Sequence, residues 1–132
     1  MTTEPAPDRS TGHAPTRALL VEDDDAVRRS LQLLMQARGV AVRSFASIAA
    51  AIAGHDAGDE VLVADYRLPD GDGIGLLAAL RARGWAGRAF LVTAFPSAGL
   101  CAAARDAGFD QVLEKPLRRH SLIAALNLPP SD

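Results

Sequence analysis

The sequence is poor in the features that would carry it out of the cytoplasm or onto a nucleic acid. Its 132 residues include a single cysteine, Cys101, so no disulfide can close within the chain. That usage fits a reducing compartment, and the expected location is cytoplasmic. No apolar run approaches the roughly 20 residues of a membrane span, and residues 1–16 lack the apolar stretch of a secretory signal. No membrane contact is expected. A basic excess is also missing: the net charge is −2, so direct nucleic acid binding by this chain is not expected. Lysine is the scarcest charged residue. Of 14 basic residues only Lys115 is a lysine, which suggests a position where a compact ammonium does what a planar guanidinium cannot.

What is present is enough for one soluble domain. A hydrophobic fraction of 48% and a charged fraction of 23% are ordinary for a globular chain, and the length suits one domain. Pro5, Pro7 and Pro15 among small and polar residues mark 1–16 as a disordered N-terminal lead. The domain is expected over 17–128, with 129–132 as a tail or the start of a linker. Within it lie five short apolar runs: Ala18-Leu19-Leu20-Val21, Val40-Ala41-Val42, Val61-Leu62-Val63-Ala64, Ala89-Phe90-Leu91-Val92 and Val112-Leu113. The first, third and fourth are continuous, as expected for strands of a parallel sheet buried on both faces. Between them the apolar spacing is helical. Val27, Leu31, Leu34 and Met35 form one stripe, and shorter stripes carry Ile48 and Ile52, then Ile74, Leu77 and Leu80, then Leu122, Ile123 and Leu126. Gly39, Gly54, Gly84 and Gly108 each follow a helical segment, where glycine closes a helix in the left-handed conformation. Asp72 and Ser97 are expected N-caps. Five β-α units in alternation, joined by right-handed crossovers, give an α/β doubly wound parallel sheet with helices on both faces. The expected architecture is flavodoxin-like (βα)5 with strand order 2-1-3-4-5.

In such sheets ligands bind at the carboxyl ends of the strands, where the strand order reverses. The chemically loaded residues all fall on that edge. Glu22, Asp23, Asp24 and Asp25 follow the first strand, Asp65 ends the third, Thr93 ends the fourth, and Lys115 follows the fifth. Carboxylates converging in a crevice repel one another and call for a cation, and oxygen ligands with room for water suit Mg²⁺. A carboxylate attacks a phosphorylated donor only when the phosphoryl oxygens are neutralised. Mg²⁺ on one side, Lys115 on the other and the Thr93 hydroxyl on a third oxygen would do so. The product would be an aspartyl phosphate.

Four segments, Leu20-Val21-Glu22-Asp23-Asp24, Asp65 to Gly73, Val92-Thr93-Ala94 and Lys115-Pro116, resemble the landmarks of the CheY-like receiver domains of bacterial two-component response regulators. The similarity runs from about Arg17 to Leu126. The resemblance implies that Asp65 is the phosphoacceptor and that Thr93 and Lys115 hold the phosphoryl oxygens. It implies a Mg²⁺ site made of Asp23 and Asp65 directly, Glu22 through water, and the backbone carbonyl of Arg67, with a cis Lys115-Pro116 bond. It further implies a sensor histidine kinase or phosphotransfer protein as donor, and a downstream protein or a second copy as receiver of the signal through the face of helix four, strand five and helix five. The role is that of a signalling domain rather than an enzyme. One departure stands out: the family's switch aromatic on the fifth strand falls at Val112, which has no ring.

Two rivals remain. Asp23-Asp24-Asp25-Ala26-Val27 also resembles the nucleophile motif of haloacid-dehalogenase-type phosphatases, which would make Asp23 the acceptor. Those enzymes need a later acidic cluster, and only Asp132 follows Lys115. The other rival is a receiver-like docking module that is never phosphorylated. Ordinary structural roles also compete: Asp24 and Asp25 suit a helix N-terminus, Trp85 reads as a partly exposed packing residue, Cys101 as a small buried one, and the histidines as solvated.

Overall fold

The computed structural model describes residues 15–129. The lead expected over 1–16 and the tail over 129–132 lie outside the described residues except at Pro15, Thr16 and Pro129. Five strands form one parallel sheet: β1 (Arg17–Val21), β2 (Ala41–Phe45), β3 (Val61–Asp65), β4 (Arg88–Thr93) and β5 (Gln111–Glu114). Five helices alternate with them: α1 (Asp25–Gln36), α2 (Ile48–Gly54), α3 (Gly73–Ala82), α4 (Ala98–Ala107) and α5 (Arg119–Leu126). The spatial order is β2-β1-β3-β4-β5, the doubly wound arrangement that the alternation implies. Among the described residues no helix is long and apolar enough to cross a membrane.

The period-two alternation of strand side chains sorts the core into two layers. Leu19, Val21, Leu62, Ala64 and Leu91 face one side and pack with Leu76, Leu77, Leu80 and Ala104 of α3 and α4. Ala18, Leu20, Val61, Val63, Phe90 and Val92 face the other and pack with Leu31 and Met35 of α1 and Leu122 and Leu126 of α5. Both faces of the three central strands are covered, hence their unbroken apolar runs. The edge strands β2 and β5 are only half-buried. Charged and polar residues therefore interrupt them, and β2 runs on through Arg43 and Ser44 to Phe45, beyond the apolar stretch.

Most helix ends follow local chemistry. Asp24, Ser47, Asp72 and Ser97 cap α1 to α4 by accepting from Val27, Ala50, Gly75 and Leu100 N–H groups. Gly39, Gly84 and Gly108 take positive φ, and so does Asn127 after α5. Gly54 does not. It is the last residue of α2, and a Cβ there would run into the Phe45 ring, so close packing rather than helix termination calls for glycine. Trp85 also departs from expectation. It is buried, and its indole N–H donates to the Asp59 carbonyl at 2.7 Å. Cys101 and His55 are half-buried.

Candidate phosphoacceptor site

The parallel register places the loaded residues on one edge. Val21 pairs with Ala64 across β1 and β3, Asp65 with Val92 across β3 and β4, and Thr93 with Glu114 across β4 and β5. The residues that follow these pairs, Glu22, Asp65, Thr93 and Lys115, therefore end side by side where the strand order reverses. The Lys115 N–H donates to the Thr93 carbonyl at 2.8 Å, which fixes the start of the loop after β5. The Lys115-Pro116 bond is cis.

The only lysine bridges the two buried carboxylates. Its Nζ lies 2.9 Å from Asp65 Oδ1 and 3.1 Å from Glu22 Oε1. The second Glu22 oxygen accepts the Asp24 N–H at 3.1 Å. Glu22 is 2% exposed and Asp65 3%. Asp23, by contrast, is exposed. Carboxylate oxygens of Glu22, Asp23 and Asp65 all lie within 4.8 Å of one another. Asp65 Oδ2 is buried with no hydrogen-bond partner. An exposed carboxylate and an orphaned buried oxygen, set against a third carboxylate, are what an oxygen-seeking cation needs, so the donor set fits a hard divalent ion.

The electrostatics of the metal-free crevice are strained accordingly. Burial first, then the neighbouring Glu22, raises the Asp65 carboxyl, and Lys115 only partly offsets them, leaving it pushed up to about 8. Burial works to raise Glu22 as well. Hydrogen bonds from Asp65, the Asp24 amide and Lys115 outweigh it, so Glu22 sits below the ordinary glutamate value. Burial would lower the Lys115 ammonium, but Asp65 and Glu22 more than offset this and hold its proton.

The remaining expected residues frame the crevice. Thr93 is buried, and its Oγ1 accepts the Phe95 N–H at 3.2 Å. Arg67 lies two residues past Asp65 in a two-residue ladder, Arg67–Leu68 against Gly71–Asp72, which closes the loop before α3. That ladder is not foreseen in the sequence. Neither is Asp70, whose two oxygens accept the Ile48 and Ala49 N–H groups at 2.9 and 3.0 Å and so tie the loop to the start of α2. Gly73 is required by proximity: a Cβ there would lie 2.5 Å from the Asp65 carbonyl and 2.6 Å from Leu91 Cδ1. Arg67 and Phe95, the latter 80% exposed, share a cavity of about 400 Å³ with Tyr66 and Thr93. On the other side an apolar groove of about 630 Å³ between α1 and the loop after β5 opens onto Glu22 and Lys115; Val27, Leu31, Pro116 and Leu117 line it. Val112 is half-buried and, like Tyr66 and Leu100, packs against the core layer of Leu76, Leu77 and Ala104.

Residues 18–127 match the response regulator receiver domain family, and the chain belongs to it. Receiver domains are signalling domains. The chain is 36% identical over 108 residues to the transcriptional regulatory protein FixJ of Azorhizobium caulinodans, a match covering 81% of this chain and 51% of FixJ. To the acid tolerance regulatory protein ActR of Rhizobium meliloti it is 33% identical over 120 residues, covering 89% and 62%. It thus spans between half and two thirds of the length of these relatives. Among solved structures it is similar to a CheY-like receiver domain protein of Methanospirillum hungatei (TM-score 0.76, 25% identity, 85% and 90% of the two chains). It shares the fold of the chemotaxis regulator CheY4 of Vibrio cholerae (TM-score 0.78, 21% identity, 85% and 96%).

Proposed function

We propose that this receiver domain takes a phosphoryl group onto Asp65 from a histidine-phosphorylated kinase or phosphotransfer protein, in the cytoplasm. The observation that carries the reading is the bridge of Lys115 between Asp65 and Glu22 beside the unpartnered Asp65 oxygen. A bound Mg²⁺, held by Asp23, Asp65, the Arg67 carbonyl and Glu22 through water, would neutralise phosphoryl oxygens and the carboxylates around them. The Asp65 oxygen attacks phosphorus. The bond from phosphorus to the donor's imidazole nitrogen breaks, and its electron pair leaves with the donor. Lys115 turns from its carboxylate partners to a phosphoryl oxygen, and the Thr93 hydroxyl donates to another. The domain assists its own phosphorylation but turns over no separate substrate. The apolar groove beside Lys115 gives a donor protein a surface to lie on while its phosphohistidine reaches Asp65.

Acetyl phosphate with Mg²⁺ should leave a base-labile phosphate on the protein, and chelator should block it. Lys115→Met should slow labelling on the order of a hundredfold, the usual cost of losing one charge-stabilising donor. Full labelling in chelator, or an undiminished rate in Lys115→Met, contradicts the reading.

Output is assigned to the face of α4, β5 and α5, toward a partner protein or a second copy. Ala98, Ala102 and Ala103 are exposed there, and Arg118 and Arg119 stand at the start of α5. With Val112 in place of a ring, the signal travels through the backbone after Thr93. Amide shifts on phosphorylation should reach this face; shifts that avoid it contradict the assignment.

A further inference from the structure

Glu22 is the most heavily constrained side chain of the site, yet its backbone leaves the sheet at that residue. Its N–H still donates to the Phe45 carbonyl at 3.0 Å. Its carbonyl lies just past the end of β1 at Val21, and Arg28 is its side-chain donor. From the first turns of α1 its Nη1 donates to the Glu22 carbonyl at 2.8 Å, while its Nη2 holds Asp25 Oδ1 at 2.6 Å. The Arg28 side chain is 21% exposed and that of Asp25 87%, so the inner bond is the sheltered one. Asp24 closes the same turn by capping Val27 N–H and by donating its own N–H to Glu22 Oε2. Among the described residues, Asp23 is left as the one carboxylate of the turn with no protein partner.

We propose that Arg28 is a positioning residue for the phosphoacceptor site: by clamping the Glu22 carbonyl and Asp25 together, it sets the turn that presents Glu22 and Asp23 to a divalent cation. The planar guanidinium spans two acceptors from one rigid fork, which an ammonium cannot. Without it the Glu22 carbonyl loses its partner and the 22–25 turn gains freedom to rotate. Glu22 Oε1 then drifts from Lys115, and Asp23 no longer faces the open oxygen of Asp65. The Arg28 charge touches neither metal nor phosphoryl group in this account; it acts through the backbone.

The inference rests on the reading of Glu22, Asp23 and Asp65 as a Mg²⁺ site, and the test separates the two. Mg²⁺ affinity is measured by calorimetry for wild type, Arg28→Lys and Arg28→Met, alongside thermal midpoints and circular dichroism in chelator. Expected are a loss of about fivefold in Arg28→Met, the scale of one net hydrogen bond, and an intermediate loss in Arg28→Lys. Metal-free midpoints should stay close to wild type. In amide spectra of the metal-free variants, residues 22–25 should shift while β4 stays in place. Wild-type or tighter affinity in Arg28→Met overturns the inference, since removing a nearby cation would by itself strengthen cation binding. If Arg28→Met does not fold, Arg28→Lys decides: weakened binding in a folded protein supports the clamp, and unchanged binding overturns it. If wild type itself fails to bind Mg²⁺, the reading of the site falls, and this inference with it.

Discussion

On the proposed function, Asp65 would have to meet two opposed demands: burial would shield a phosphorylated form from water, and the same burial resists the ionised form that would attack. In the metal-free protein, burial and Glu22 push it up to about 8 from an ordinary 3.8. The consequence for stability has a definite sign. Between these values the folded protein holds a proton that the unfolded chain has lost. The stabilisation is complete below about pH 4 and fades as pH rises through about 8. Lowered Glu22 works in the opposite sense only at acid pH, being lost as pH falls below 4.5. In chelator, the thermal midpoint should therefore fall between pH 6 and pH 9, and Asp65→Asn should remove most of that slope. A midpoint that is flat or rises over this range in wild type contradicts the placement. Asp65 and Thr93 are readable in the sequence because each directly follows an apolar run, and Lys115 because it lies two residues past one and is the sole lysine. Arg28 is not, since one arginine on the polar side of an amphipathic helix looks like any solvated charge. Its carbonyl partner leaves no mark in the sequence at all.

Among the elements, the loop from Asp65 to α3 shows how local residues set the site. Gly73 and Gly75 both lie in α3 but answer to different constraints. At Gly73 a Cβ would press on the Asp65 backbone and on Leu91, whereas at Gly75 the nearest atom is Asp72 Oδ1 at 3.7 Å. Gly73→Ala should cost about 1–3 kcal/mol as an overpacked core position. Gly75→Ala should stabilise by about 0.5–1 kcal/mol, because alanine is the better helix former. Chemical denaturation of both variants checks the pair, and equal effects would count against the tight approach at Gly73. The loop after β4 makes a kinetic statement. Phe95 offers no group to orient or deprotonate water, and Arg67 brings charge rather than a base to the same cavity. Aspartyl phosphate should therefore decay slowly, and Phe95→Glu and Arg67→Asn should each hasten its loss once donor is removed. Unchanged or slower decay in both would show that neither side chain guards the approach. The sequence misplaces detail mainly at such boundaries. Gly54, at the end of α2, reads as a helix stop and serves instead to admit Phe45, and Trp85 reads as partly exposed although it is buried with its N–H satisfied by the Asp59 carbonyl. Both depend on tertiary neighbours that the local pattern does not mark.

For the whole molecule, strict alternation of strand and helix leaves few topologies, so strand order and the position of the site follow from pattern and handedness. Output is less readable. The chain spans only part of the length of FixJ and ActR, and what lies downstream of α4, β5 and α5 depends on a partner surface that one chain does not encode. The central claim concerns which aspartate receives phosphorus, and the two families that the acidic run resembles answer it differently. Mapping the phosphorylated residue by mass spectrometry after treatment with acetyl phosphate and Mg²⁺, in wild type, Asp65→Asn and Asp23→Asn, is the most direct test. The account predicts a single phosphate on Asp65, absent from Asp65→Asn, and formed on Asp65 more slowly in Asp23→Asn because metal binding is weakened. Phosphate found on Asp23, or incorporated as well in Asp65→Asn as in wild type, would contradict it.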